Sequence, residues 1–292
     1  MSLIRARYRA VNTIMNLPRG GGYVGLLDLY PNAAAAYSLR KLRAAYSGSA
    51  VRVRKEVSTV SSETDIGFLA DGSLDTVSLL AFASDADSGD VFVVTWYDQS
   101  LSNDATQGTA ADQPKIVSGG SLVTENGKAA IDFDGVNDIL KTPSITHGTD
   151  DISIIGVFMN ELNTGDQSFI SGEHGSGMQW SRNRNNAWSA TINTGTSSYS
   201  VFNVSFTINQ QYLFGSYYAS DWNVYANNQN LGNSTIGVHD DIGSGIYALG
   251  ALFNNTDFLQ GNIQELIIYS SDQSANRAAI ETNINTFYSI YP

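Results

Sequence analysis

GNIQELIIYS, residues Gly261–Ser270, carries three Ile, one Leu and one Tyr in a short run closed by Gly261 on one side and by Ser270, Ser271 and Asp272 on the other. That composition and those boundaries read as a β-strand. Toward the N-terminus the same pattern recurs at 246–252, 222–226, 211–218, 200–206, 187–192, 167–170, 152–158, 129–133 and 115–117, each run lying between clusters of Gly, Asn, Asp and Ser. Short strands at even spacing, separated by turn formers, predict an antiparallel sandwich. VFVVTW at Val91–Trp96 opens the series, and before it Val51 and Val53 alternate with Arg52 and Arg54 in the period of a strand.

Helical signals are few. NAAAAYSLRKLRAAY at Asn32–Tyr46 places an Asn cap before strong helix formers, with Tyr37, Leu39, Leu42 and Tyr46 on one side, and predicts an amphipathic helix. A second helix is expected at Asp75–Phe82. A third is expected near the C-terminus, with Ala279, Ile280, Ile284 and Phe287 packing on the sheet. The expected fold class is all-β with a few short helices: an antiparallel two-sheet jelly-roll sandwich with an extended N-terminal arm.

Charge divides the chain. Ten bases precede Glu56, against Asp28 alone, a balance of +9; six bases and 27 acids follow and leave −21, for −12 overall. Arg5, Arg7, Arg9 and Arg19, with Tyr8 and apolar residues between them and Gly20–Gly22 after them, form a basic stretch that reads as a docking arm. Few aromatics interleave its arginines and the body is acidic, so no nucleic-acid partner is expected. The expected domains are an arm over 1–25 and a sandwich over 26–292, with a lead-in of 26–110 and the main sandwich over 111–292.

Lys, Arg, Asp and Glu make up 15% of the residues, against about 25% in ordinary globular domains. Neutral polar groups and tyrosines take their place, a surface common outside cells. Without cysteine, a disulfide framework, a thiolate metal site and a thiol nucleophile are all excluded. No apolar run is long enough for a membrane helix, so no membrane insertion is expected. The N-terminus lacks the apolar stretch and cleavage site of a secretory signal.

AIDFDGVND at Ala130–Asp138, DISIIGVFM at Asp151–Met159, WNVYANNQ at Trp222–Gln229 and GNIQELIIYS at Gly261–Ser270, taken in that order, resemble the concanavalin A-like, laminin-G-like jelly roll. AYSLRKLRAAYSGSAVRVR (36–54), DIGF (65–68) and TWYDQSLSNDATQ (95–107) are similar to the region leading into the catalytic sandwich of arabinofuranosidases. With QPKIV (113–117) and NGKAAIDFDG (126–135), the combination also resembles virion proteins of tailed bacteriophages. The resemblance implies a virion structural protein, a tail fibre or spike component or a capsid decoration protein, assembled in the host cytoplasm. It implies an arm that docks on other virion proteins, a sandwich that binds host cell-surface glycan, and a homo-oligomer, with a trimer favoured. The alternative it implies is a glycoside hydrolase of arabinofuranosidase type acting on surface polysaccharide.

A retaining glycosidase needs two carboxyl groups about 5–5.5 Å apart. The resemblance puts the nucleophile near Ala190–Asn193 and the acid/base near Asn254, where this chain has no acid. No catalytic residue is therefore assigned, with Asp257 and Glu173 as fallback carboxyls. Sugar binding needs aromatic faces beside planar polar groups, which Trp180, Arg182, Asn185 and Trp188 supply. Asp98 and Asp104 read as turn formers. Asp85, Asp87 and Asp90 in SDADSGD form an oxygen cluster of the kind calcium uses, although the plainer reading is an acidic turn. No other cofactor is expected.

Overall fold

In the strand Ile152–Asn160 every residue is buried, because both of its faces are covered. Ile152, Ile154 and Phe158 face the main core, while Ile155 and Val157 join a second cluster with Ile280, Ile284 and Tyr288 of the C-terminal helix. Burial on two sides is why the strand reads as a continuous apolar run rather than an alternating one.

The computed structural model describes residues 22–147, 151–173, 177–182, 187–193, 198–235 and 244–292. A short helix α1 (Leu26–Leu29) precedes β1 (Ala33–Ser38), β2 (Val51–Val57), β3 (Val60–Ile66), α2 (Thr76–Ala83) and β4 (Val91–Trp96). Short strands follow: β5 (Ala105–Thr106), β6 (Lys115–Ser118), β7 (Ser121–Leu122), β8 (Thr124–Glu125), β9 (Lys128–Ala129), β10 (Ile131–Asp134), β11 (Leu140–Lys141) and β12 (Ile145–Thr146). The main sandwich continues with β13 (Ile152–Asn160), β14 (Gln167–Gly172), β15 (Gly177–Arg182), β16 (Ala187–Asn193), β17 (Ser198–Ser205), β18 (Gln211–Tyr218), β19 (Asp221–Ala226) and β20 (Gln229–Thr235). It ends with β21 (Ser244–Gly245), β22 (Tyr247–Leu249), β23 (Gln260–Tyr269) and α3 (Arg277–Tyr288).

The strands pair antiparallel into two facing layers, as the sequence predicts. One layer runs β20–β19–β18–β13–β23 and continues through β10 to β6, with β1 on the same edge of β23 as β10. The other runs β17–β16–β15–β14–β22–β11–β5. Strand β4 joins the layers by pairing with both β5 and β6. Between them lies a core to which Phe158, Phe214 and Ile263 come from the first layer, and Phe169, Tyr247 and Leu249 from the second. Phe158 and Phe169 stack with centroids 3.8 Å apart.

The lead-in segment departs from expectation at Asn32–Tyr46. Ala33–Ser38 is a strand, and the chain from Leu39 to Ala50 is irregular rather than helical. Helix propensity favours Ala by only tenths of a kcal/mol per residue, and here both edges of the segment have partners. One edge pairs with β23, Ala36 opposite Ile267. On the other, the Ala36 N–H donates to Asp98 Oδ1 at 2.8 Å and the Gln99 N–H donates to the Ala36 carbonyl at 2.8 Å. The other two helices form close to where they are expected, α2 with the Asp75 side chain accepting from the Ser78 N–H.

Four of the six basic residues from Arg40 to Lys55 form ion pairs within the fold. Arg40 is buried in a two-point pair with Glu265, at 2.7 and 2.9 Å, which Ser38 and Tyr288 also reach. Arg52 pairs with Asp65, Arg54 with Glu56 and Gln113, and Lys55 with Asp85. Arg5, Arg7, Tyr8, Arg9 and Arg19 lie outside the described residues.

Candidate functional site

The hairpin β15–β16 carries the predicted sugar-binding residues. Its register sets Arg182 opposite Trp188 and Trp180 opposite Ala190, while Asn185 lies outside the described residues. On the other edge of β15, Gln167 of β14 stands opposite Arg182. The aromatic residues Tyr217, Tyr218 and Trp222 of β18 and β19 are fully buried. Tyr217 bonds Glu281 and the Trp222 indole N–H donates to Ser216 Oγ, so they serve packing.

The two fallback carboxyls sit at opposite ends of β14. Glu173 follows the strand, its N–H donating to the Ile246 carbonyl, whereas the Asp257 carbonyl accepts from the Ser168 N–H near the start. Five residue steps along the strand, from Ser168 to Glu173, separate those anchors, about 16 Å at 3.3 Å per residue. That exceeds the separation of a retaining or an inverting carboxylate pair. Asn254 is exposed and accepts from Thr256 Oγ1.

The calcium candidate does not converge. Asp85 pairs with Lys55, Asp87 accepts from the Ser58 N–H, and Asp90 bonds Lys115 and the Gly119 N–H. No partner is shared between any two of the three carboxylates in these contacts. Among the described residues no group of three or more His, Asp or Glu is placed to hold a metal ion. Asp98 is the turn former its sequence context predicts, its two oxygens accepting from the N–H groups of Ala36, Ser100, Leu101 and Asn103. Asp104 in turn accepts from the Asp98 N–H.

A different set of carboxyls does come together, around β10. Ile131 and Phe133 of that strand enter the core, which turns Asp132 and Asp134 outward. Asp132 stands in register between Lys115 of β6 and Asn262 of β23. Desolvation raises its pKa to about 6, helped by the negative charge of Glu161 and opposed by Lys115. Asp138, buried in the turn after β10, is raised to about 7 by desolvation and then by the charge of Asp134, while its Oδ2 accepts from the Asp134 N–H at 2.9 Å. Glu125 is also raised, first by burial and then by Glu161.

This cluster adjoins the hairpin. Gln167, opposite Arg182, accepts from the Gln260 N–H at 3.4 Å, and the Gln260 side chain reaches Glu161 at 3.4 Å. The rung Trp188–Arg182–Gln167 therefore leads through Gln260 to Glu161 and the field that acts on Asp132. In the sequence AIDFDGVND stands out for its likeness to a fold rather than for its acids. The available signal was two Asp two residues apart on a strand whose other face is apolar.

No family model matches this sequence, and no curated protein does. Solved structures do. A GH54 α-L-arabinofuranosidase soaked with a cyclic sulfate inhibitor is similar at TM-score 0.67 and 14% identity, over 89% of this chain and 64% of that one. A mutant GH54 α-L-arabinofuranosidase soaked with 4-nitrophenyl α-L-arabinofuranoside gives 0.69 and 15% over the same shares. An arabinofuranosidase in complex with arabinofuranosyl-α-1,2-xylobiose gives 0.63 and 17%, over 86% and 62%. The chain thus spans somewhat under two thirds of those proteins, and at these identities the likeness shows a shared sandwich fold. It corrects the expectation of a bacteriophage virion component: these structural relatives are glycoside hydrolases, and no family model or curated protein supports a tail-fibre or capsid-decoration role.

Proposed function

We propose that the chain is a glycoside hydrolase of arabinofuranosidase architecture, acting on arabinofuranosyl groups of surface polysaccharide. The observation that carries this reading is the likeness to arabinofuranosidases over nearly nine tenths of the chain. The carboxyls around β10 add a chemical reason. Glycoside hydrolysis uses one carboxyl that keeps its proton near neutral pH and a second nearby. Asp132 is half-buried, raised to about 6, and Glu161 is the carboxylate whose charge raises it most. In this reading Asp132 protonates the leaving-group oxygen and Glu161 serves as the second carboxyl. Trp180, Arg182, Asn185 and Trp188 hold the sugar.

Release of 4-nitrophenol from 4-nitrophenyl α-L-arabinofuranoside, and of arabinose from polysaccharide, tests the proposal. Turnover by the native chain is expected, falling as pH rises through about 6 because Asp132 must carry its proton. Asp132→Asn is expected to lower kcat at least about 100-fold, the usual worth of a positioned acid. Sugar binding without turnover by the native chain overturns the hydrolase reading. Full activity in Asp132→Asn overturns the assignment of Asp132.

A further inference from the structure

A mostly apolar cavity of about 300 Å³ lies where the loop before α2, strand β7, the β8–β9 hairpin and the end of α3 meet. Leu39, Leu69, Leu74, Leu122, Ala129 and Phe287 make most of its wall. The apolar surface continues outside it: Leu69 is 42% exposed, and Val77 and Leu80 of α2 are 73% and 37% exposed. Three exposed apolar side chains beside an open apolar cavity form a surface of the kind that receives a partner.

The described chain begins at this surface. Tyr23 packs its ring against Gly72, where a Cβ would lie 2.2 Å from that ring, and its hydroxyl donates to the Lys41 carbonyl. Gly72 directly precedes Ser73, which lines the cavity. Upstream of Tyr23 stand 22 residues with four arginines, no acid, and Ile4, Val11, Ile14 and Leu17 spaced among them. Asp71 and Asp75 flank Ser73 in the sequence at the cavity wall, and their pKa values are lowered by the Ser73 and Ser78 groups that bond them. A basic, apolar-studded segment leaves the fold beside a mostly apolar cavity, with Lys128 in its wall over the Phe287 ring and the acids Asp71 and Asp75 on either side of Ser73.

We propose that the cavity is the seat of the chain's own N-terminal segment, residues 1–21, with Leu17 filling it and Arg19 facing Asp71 and Asp75. Five residues separate Leu17 from Tyr23, six Cα steps with a reach of up to about 20 Å, and Gly20–Gly22 among them add backbone freedom. A tether that short holds the segment at millimolar effective concentration, so even a small contact keeps it seated. The inference does not depend on the hydrolase reading.

The absence of cysteine makes a direct test available in the full chain. Leu17→Cys with Leu69→Cys is expected to oxidise to an intramolecular disulfide at least about tenfold faster than Leu17→Cys with Val136→Cys, whose second site is 68% exposed at the far end of β10. Equal rates for the two pairs overturn the proposal. Disulfide-linked dimers in place of the intramolecular product also overturn it, showing that a second copy's segment takes the seat. A second readout is trypsin cleavage after Arg19: Leu69→Glu, a change at an exposed position, is expected to speed it several-fold. An unchanged rate counts against the seat.

Discussion

At the scale of single residues, Asp138 shows how a carboxyl can shape a turn and still cost stability. It satisfies the Asp134 N–H from within a buried site, and burial raises it to about 7, against about 3.9 in an unfolded chain. The native state therefore keeps a proton that the unfolded chain gives up. That contribution is complete below about pH 4 and is lost as pH rises to about 7. Asp138→Asn retains an oxygen for the Asp134 N–H and removes the charge. Its melting temperature is expected to match the native chain at pH 4 and to exceed it by about 2–6 °C at pH 8; a lower value at pH 8 would mean that the carboxylate itself holds the turn. Asp98 is the contrasting case, because four backbone N–H groups converge on its two oxygens.

At the scale of elements, β1 is where propensity and structure part. Its run of alanines suits a helix, yet the same small side chains let the segment lie between β23 and the Asp98–Gln99 turn with Ala35 and Ala36 fully buried. Ala36 packs in the cluster with Ile267 and Tyr269, so Ala36→Leu is expected to overpack it and cost about 1–3 kcal/mol in denaturant unfolding. An excised peptide of residues 30–47 should show helix rather than strand by circular dichroism, since it carries the propensity without the partners. The hairpin β15–β16 and the strands β18, β19 and β23 met no such conflict: β-branched and aromatic residues, turn formers and tertiary pairing all point the same way.

At the scale of the whole molecule, the two larger hydrophobic clusters among the described residues are the core between the layers and the roof that α1 and α3 place over β13, β18 and β23. Deletion of residues 277–292 uncovers Ile155, Val157, Leu213, Tyr217, Ile267 and Tyr269. The truncated chain is expected to aggregate on size-exclusion chromatography, as exposed apolar patches of that size do; a monomeric, fully folded product would show the roof to be dispensable. The sequence by itself determined the strands, the turns, α2, α3 and the antiparallel class, because strand periodicity and turn chemistry are local properties carried by neighbouring residues. It also placed Asp98 in its turn, for the same reason. Only the tertiary structure decided that Asn32–Tyr46 is not a helix, that Asp85, Asp87 and Asp90 part to different partners, that Glu173 and Asp257 stand a strand apart, and that Asp132 and Glu161 share a field. Those outcomes depend on which distant residues a side chain meets, and on the desolvation that meeting brings, neither of which a linear pattern records.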